Sequence, residues 1–177
     1  MASAAAVAVE AMAPTVAVIG VRNLGKTIAL HFAKKGWTVI PCARTKDTVE
    51  QVAKEVTEAG GKGVPVVCDL TDTGSLDRLT QHHVDLLVLA QNAGGRFGAK
   101  SILEIDDAEL TQSFDVYMKG TWNAIRVVGR HMITQGHGTI VQIGTTSSLR
   151  TKEGFAVLGS IGYGLRGLVQ VAARELR

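Results

Sequence analysis

The stretch Thr15 to Trp37, TVAVIGVRNLGKTIALHFAKKGW, changes its period part-way along. Val16 to Ile19 is a β-branched and apolar run long enough for a buried strand. Gly20 and Gly25 bracket a tight turn, after which Leu24, Ile28 and Phe32 recur at helical spacing. The switch from run to stripe predicts strand, turn, helix. A turn of this kind aims the unpaired N–H groups of a helix N-terminus, and the positive end of its dipole, at one point. That point suits a phosphate group.

Composition sets the frame around this stretch. With 177 residues the chain is long enough for one domain with a sizeable core, and 46% hydrophobic with 20% charged residues is the balance of an ordinary soluble globular protein. A net charge of +3, spread without a basic run, gives no nucleic-acid surface. Cys42 and Cys68 fall near the ends of predicted strands and read as buried reduced thiols of a cytoplasmic protein. No apolar run approaches a membrane span, so no membrane partner is expected. Residues 1–14, MASAAAVAVEAMAP, lack a basic n-region and read as a flexible N-terminal extension rather than a signal peptide. Residues 15–177 make the single domain.

Downstream of Gly36, strand and helix patterns alternate. Thr38–Cys42 reads as a strand ending in Ala43-Arg44, and Val49, Val52, Ala53, Val56 and Ala59 line a helix closed by Gly60-Gly61. Val64–Val67 is a third strand ending in Cys68-Asp69-Leu70, followed by a short helical piece over Ser75–Gln81. Val84–Ala90 is a fourth, wholly apolar strand ending in Gln91-Asn92-Ala93-Gly94-Gly95. Asp106 opens a long helix to about Thr134 carrying Leu110, Phe114, Tyr117, Thr121, Ala124, Val128 and Met132. Thr139–Ile143 is a fifth strand, and a last helix starts near Leu158. This alternation predicts an α/β fold with a doubly wound parallel sheet in a three-layer αβα arrangement. Ligands of such sheets sit at the carboxyl ends of the strands, where Arg44, Asp69, Asn92 and Thr145 all fall.

Several of these motifs, in this order, resemble the short-chain dehydrogenase/reductase family from about Thr15 to Leu176. Gln91-Asn92-Ala93-Gly94 is similar to the family's N-N-A-G, and Asp69-Leu70 resembles its acidic-apolar pair at the adenine ring. Phe114 to Thr121 resembles the middle of its long interface helix, and Gly138 to Ile143 the strand before its catalytic serine. The resemblance implies a Rossmann-type domain with a phosphate turn at Gly20, Arg22, Asn23, Leu24 and Gly25, and a ribose site at Asn92, Ala93 and Gly94. Asn23 stands where the family's middle glycine belongs, and Asn tolerates a left-handed backbone better than most residues. Arg22 and Arg44 resemble the two basic positions that mark NADP preference, since a guanidinium can hold a 2′-phosphate bidentately.

The family's Asn, Ser, Tyr and Lys are mostly replaced. Aligning Gly167-Leu168 and Glu175-Leu176 puts the tyrosine position at Leu158 and the lysine position at Gly162, the serine at Thr145 and the asparagine at Tyr117. Leu158 and Gly162 have neither a proton to give nor a charge to offer. Candidate catalytic groups are then Thr145 and Tyr117, with Tyr163 and Arg166 facing each other three residues apart on the last helix. The five histidines show no metal-ligand spacing. The resemblance also implies further strands and a substrate-covering segment beyond residue 177, which this sequence does not contain, and a homo-oligomer through the long helices.

Three functions follow as expectations. One is an NADP(H)-binding relative that is silent in the usual chemistry. The second is an NADP-dependent carbonyl reductase or alcohol dehydrogenase, acting on a small carbonyl or alcohol substrate through a displaced tyrosine. The third is an interaction subunit that binds no nucleotide.

Overall fold

Val16 and Val18 join the core on one face of the first strand, β1 (Thr15–Ile19), and Ala17 and Ile19 join the core on the other. All five residues of β1 are buried, as two-residue alternation demands of a strand covered on both sides. The computed structural model describes residues 13–90 and 99–176. Beside β1 lie β2 (Thr38–Ala43), β3 (Lys62–Gly63), β4 (Val66–Val67), β5 (Leu86–Leu89) and β6 (Thr139–Gln142). Every pairing is parallel, in the order β3-β2-β1-β5-β6 with β4 also on β2. The expected third strand is therefore two short pieces. Pro65, between them, has no N–H to offer and interrupts the ladder.

Helices α1 (Leu24–Ala33) and α2 (Lys46–Glu58) cover one face, where Val16, Val18, Val39, Val49, Val52 and Val56 meet. The short α3 (Thr73–Leu76) and long α5 (Gly120–Gln135) cover the other, joined by α6 (Ala156–Glu175), and Ile40, Leu76, Leu87, Ala124, Val128 and Met132 form that core. This is the three-layer αβα arrangement expected from the alternation. Because the chain runs from β1 out to β3 and β4 and then returns to β5 on the far side of β1, the sheet changes direction at β1. A ligand crevice belongs there.

Two apolar stripes differ from expectation. On α1 the buried residues are Gly25, Ala29 and Ala33, one position on from the predicted Leu24, Ile28 and Phe32, and Leu24 is exposed. Small residues face the sheet because the turn before them brings the helix close. The predicted long helix is divided into α4 (Asp107–Phe114), a π-helical turn (Asp115–Lys119) and α5. A π turn takes up about one extra residue, so the facing side shifts across it. Leu110 and Phe114 are exposed as a result, whereas Thr121, Ala124, Val128 and Met132 are buried as expected.

Among the described residues α6 is long and apolar enough, by length and composition, to cross a membrane, contrary to the reading of apolar runs. A helix of a folded core passes the same test, and Val157, Ile161 and Leu165 pack inward here against Ile105, Tyr117 and Met118.

Candidate functional site

The turn after β1 is built from backbone contacts that only certain residues permit. Gly20 leaves the strand with φ of 93° and its N–H donates to the Cys42 carbonyl at 2.9 Å. A Cβ on Gly25 would collide with the Gly20 carbonyl oxygen and stand 3.2 Å from the Ala90 Cβ. Glycine at position 25 is what lets α1 start directly against the ends of β1 and β5. Asn23 between them has φ of 45° and ψ of −110°, the one non-glycine residue with positive φ among the described residues; the φ is positive as the left-handed expectation requires, but ψ lies outside the left-handed helical region. Its side chain makes no cap hydrogen bond to α1, and no acidic residue occupies the first turn. Among the described residues, neither a side-chain cap nor a first-turn carboxylate compensates the positive helix end.

Asn23 is strained, since non-glycine residues in sparsely populated regions cost on the order of 1–3 kcal/mol. Asn23→Gly should release that strain while adding freedom to the unfolded chain, for a net gain of about 0.5–1 kcal/mol. A urea midpoint raised by that amount, with the m-value unchanged, checks it; an unchanged or lowered midpoint would show the turn to be relaxed as it stands.

Opposite this turn a cavity of about 220 Å³ opens at the carboxyl ends of β1, β2 and β4. Gly20 and Arg22 line it from the first turn, Arg44, Thr45 and Thr48 from the end of β2 and the start of α2, and Asp69, Leu70 and Tyr117 from the far side. The Arg22 carbonyl accepts from the Gly25 N–H at 3.1 Å, but neither the Arg22 nor the Arg44 guanidinium makes a hydrogen bond or ion pair with another described residue. Asp69 is turned locally: its Oδ1 accepts from the Thr71 N–H at 2.9 Å and the Thr71 hydroxyl at 2.8 Å. Its own N–H donates to the Ser75 hydroxyl at 2.8 Å. Leu70 is buried under the helix, with its carbonyl accepting from Asn123 at 3.0 Å. Burial pushes the Tyr117 phenol above its ordinary value, and the charge of Arg44 opposes that only in part.

The cavity therefore gathers Gly20, Arg22, Arg44, Asp69, Leu70 and Tyr117, while Asn92, Ala93 and Gly94 lie outside the described residues. Thr45 and Thr48 were not foreseen. Their signal in the sequence was their place right after a strand, at the start of a helix whose N-cap Thr45 makes no side-chain cap bond.

The short chain dehydrogenase profile matches residues 14–177. The chain belongs to the short-chain dehydrogenase family. A 3-oxoacyl-[acyl-carrier-protein] reductase of Thermotoga maritima is 27% identical over 158 residues, covering 87% of this chain and 64% of that protein. A fatty acyl-CoA reductase of Acinetobacter baylyi is 31% identical over 147 residues, covering 76% and 47%. The chain thus spans about half to two thirds of the length of these curated relatives. Among solved structures, a metagenomic short-chain oxidoreductase in complex with NADP aligns with a TM-score of 0.83 at 25% identity, covering 94% of this chain and 77% of that one. An NAD+-bound xylitol dehydrogenase has the same fold, with a TM-score of 0.84 at 22% identity over 92% of this chain and 65% of its own.

In this short-chain dehydrogenase family chain, the region after β6 is held by packing and local hydrogen bonds. Thr145 caps a short 3₁₀ turn, its hydroxyl accepting from the Ser147 N–H at 3.3 Å and its carbonyl from the Ser148 hydroxyl at 2.6 Å. Gly162 lies buried against that turn: a Cβ there would stand 2.9 Å from the Ser148 nitrogen and 3.1 Å from the Thr145 Cγ2. Tyr163 and Arg166, three residues apart on α6, reach two adjacent carbonyls of the turn. The Tyr163 hydroxyl donates to the Leu149 carbonyl at 2.9 Å, and Arg166 donates to the Ser148 carbonyl at 3.4 Å. Both side chains staple the turn to α6, because the chain doubles back over the helix and leaves carbonyls that need donors. Thr145 does not line the cavity that holds Tyr117.

Proposed function

We propose that this chain binds NADP(H) in the cleft at the ends of β1, β2 and β4 and is silent in the family's usual carbonyl and alcohol chemistry. The pyrophosphate would lie over Gly20, Arg22, Asn23, Leu24 and Gly25, on the start of α1. The 2′-phosphate would lie between Arg22 and Arg44, the adenine beside Asp69 and Leu70, and the ribose near Asn92, Ala93 and Gly94. The observation that carries this reading is the pair of guanidiniums lining one cavity with no ion-pair partner among the described residues, beside the start of α2.

Silence is favoured by what stands at the reacting positions. A proton donor of the family's kind needs its hydroxyl made more acidic, and burial moves Tyr117 the other way. The Tyr163 phenol is committed to the Leu149 carbonyl, and Leu158 and Gly162 carry no proton or charge. Exposed Phe114 and Trp122 along the long helices, with Val171 on α6, support a homo-oligomer through these elements.

Calorimetric titration of the purified chain with NADPH, and with NADH as the control, tests the proposal. Saturable binding that favours NADPH, without oxidation in the presence of carbonyl substrates, is the expected result. Failure of a folded chain to bind either nucleotide would overturn it and leave the interaction subunit.

A further inference from the structure

Away from the cleft, at the amino ends of the strands, two segments are tied together by side chains. The segment leading into β5 carries His83 and Asp85, and the segment leading into β6 carries His137. Asp85 is held from three directions. Its N–H donates to the Thr15 carbonyl at 3.0 Å, its carbonyl accepts from the Thr139 N–H at 2.9 Å, and its Oδ2 accepts from the Thr15 N–H at 2.7 Å. The remaining carboxylate oxygen, Oδ1, is turned outward, with the His83 Nε2 at 3.1 Å and the His137 Nε2 at 2.9 Å. The two imidazole rings are tilted against each other with centroids 5.0 Å apart.

Gln135 braces the same place. Its Oε1 accepts from the Val84 N–H at 3.1 Å, and its Nε2 donates to the Val84 and His137 carbonyls at 3.0 Å each. The backbone on both sides of the cluster is therefore fixed before any ligand arrives. Two imidazole nitrogens and one carboxylate oxygen, all within 4.8 Å of one another, converge from a rigid base. Both histidines are largely exposed, so an ion can reach them and the rings can adjust.

We propose that His83, Asp85 and His137 bind one divalent first-row transition ion of the zinc type, clamping the segment before β5 to the segment before β6. Two imidazoles with one carboxylate are a donor set for such ions rather than for calcium or magnesium. Metal–ligand bonds of about 2.0–2.2 Å in tetrahedral geometry separate ligand atoms by roughly 3.4 Å. The two nitrogen–oxygen separations, 3.1 and 2.9 Å, lie within a few tenths of an ångström of that, and rotation of the exposed rings would set the spacing between the two nitrogens. The Thr15 N–H on Oδ2 would orient the carboxylate as an outer partner does at metal sites. Water would fill the remaining position. Sequence spacing alone does not announce the site, because His137 stands 52 positions from Asp85 and only the parallel pairing of β5 with β6 joins them.

The test uses the full chain, purified without a polyhistidine tag and titrated with Zn²⁺ by calorimetry, with Co²⁺ as the spectroscopic probe. The expected result is one equivalent of Zn²⁺, a raised melting temperature and the visible absorption of low-coordinate Co²⁺. Outer partners alone are worth roughly 10–100-fold in affinity, so His83→Ala and His137→Ala should each weaken binding by about a hundredfold or more. His31→Ala, on α1 and outside the cluster, should leave it unchanged. Circular dichroism of each variant shows whether the fold is kept. Absence of saturable uptake by the folded wild-type chain would overturn the proposal. So would uptake that survives in both folded His83→Ala and His137→Ala variants.

Discussion

Arg44→Ala is expected to weaken NADPH binding by about 1.5–3 kcal/mol, roughly 10- to 150-fold, while leaving NADH binding nearly unchanged. The reasoning runs from place to charge. Arg44 follows β2 directly, lines the 220 Å³ cavity with Arg22 and Asp69, and makes no ion pair with a described residue that would hold it elsewhere. The only group that distinguishes the two nucleotides is the 2′-phosphate, and a charge-assisted, two-pronged hydrogen bond is the strongest contact a side chain can offer it. Arg44→Lys should recover only part of the loss, because an ammonium lacks the planar fork. Stability should hardly change, since the side chain is exposed. Calorimetry with both nucleotides reads the effect; equal losses for NADPH and NADH would place the 2′-phosphate elsewhere.

Gly162→Lys, which puts the family's lysine back, is expected to destabilise the fold rather than restore chemistry. The new Cβ would meet the Ser148 nitrogen at 2.9 Å and the Ser147 carbonyl carbon at 3.2 Å. Both are backbone atoms, so the turn that Thr145 caps would have to move. Overpacking of this kind costs about 1–3 kcal/mol, and the better helix propensity of lysine returns roughly 0.7 kcal/mol. A net loss of about 1–2 kcal/mol in urea unfolding is the expected outcome. The double variant Leu158→Tyr/Gly162→Lys should likewise fail to oxidise NADPH with carbonyl substrates. Turnover by a double variant as stable as the wild type would mean that the turn accommodates the pair and that only two side chains separate this chain from an active site.

How much of this was legible in the residues differs from element to element. The strand, turn and helix over Thr15–Trp37 were, because a change of hydrophobic period is a local property. The valine face of α2 was legible for the same reason: Val49, Val52, Ala53 and Val56 are buried as the spacing requires. The α1 stripe was misplaced by one residue because large side chains dominate a pattern, whereas close approach selects small ones such as Gly25, Ala29 and Ala33. The π turn at Asp115–Lys119 was not legible either, since its extra residue leaves no mark in composition.

The sequence by itself determined the family, the order of strands and helices, and the positions at strand ends where Arg22, Arg44 and Asp69 could meet. Those follow from local periodicity and from motifs that occupy neighbouring residues. Tertiary structure alone decided which of these groups share a cavity, that Tyr117 faces Arg44 while Thr145 caps a turn, and that Tyr163 and Arg166 serve the carbonyls of Leu149 and Ser148. It also decided that His83, Asp85 and His137 converge. The physical reason is the parallel sheet: each crossover separates neighbours in space by tens of residues in sequence, so contacts between strand ends depend on register and packing that no local pattern carries.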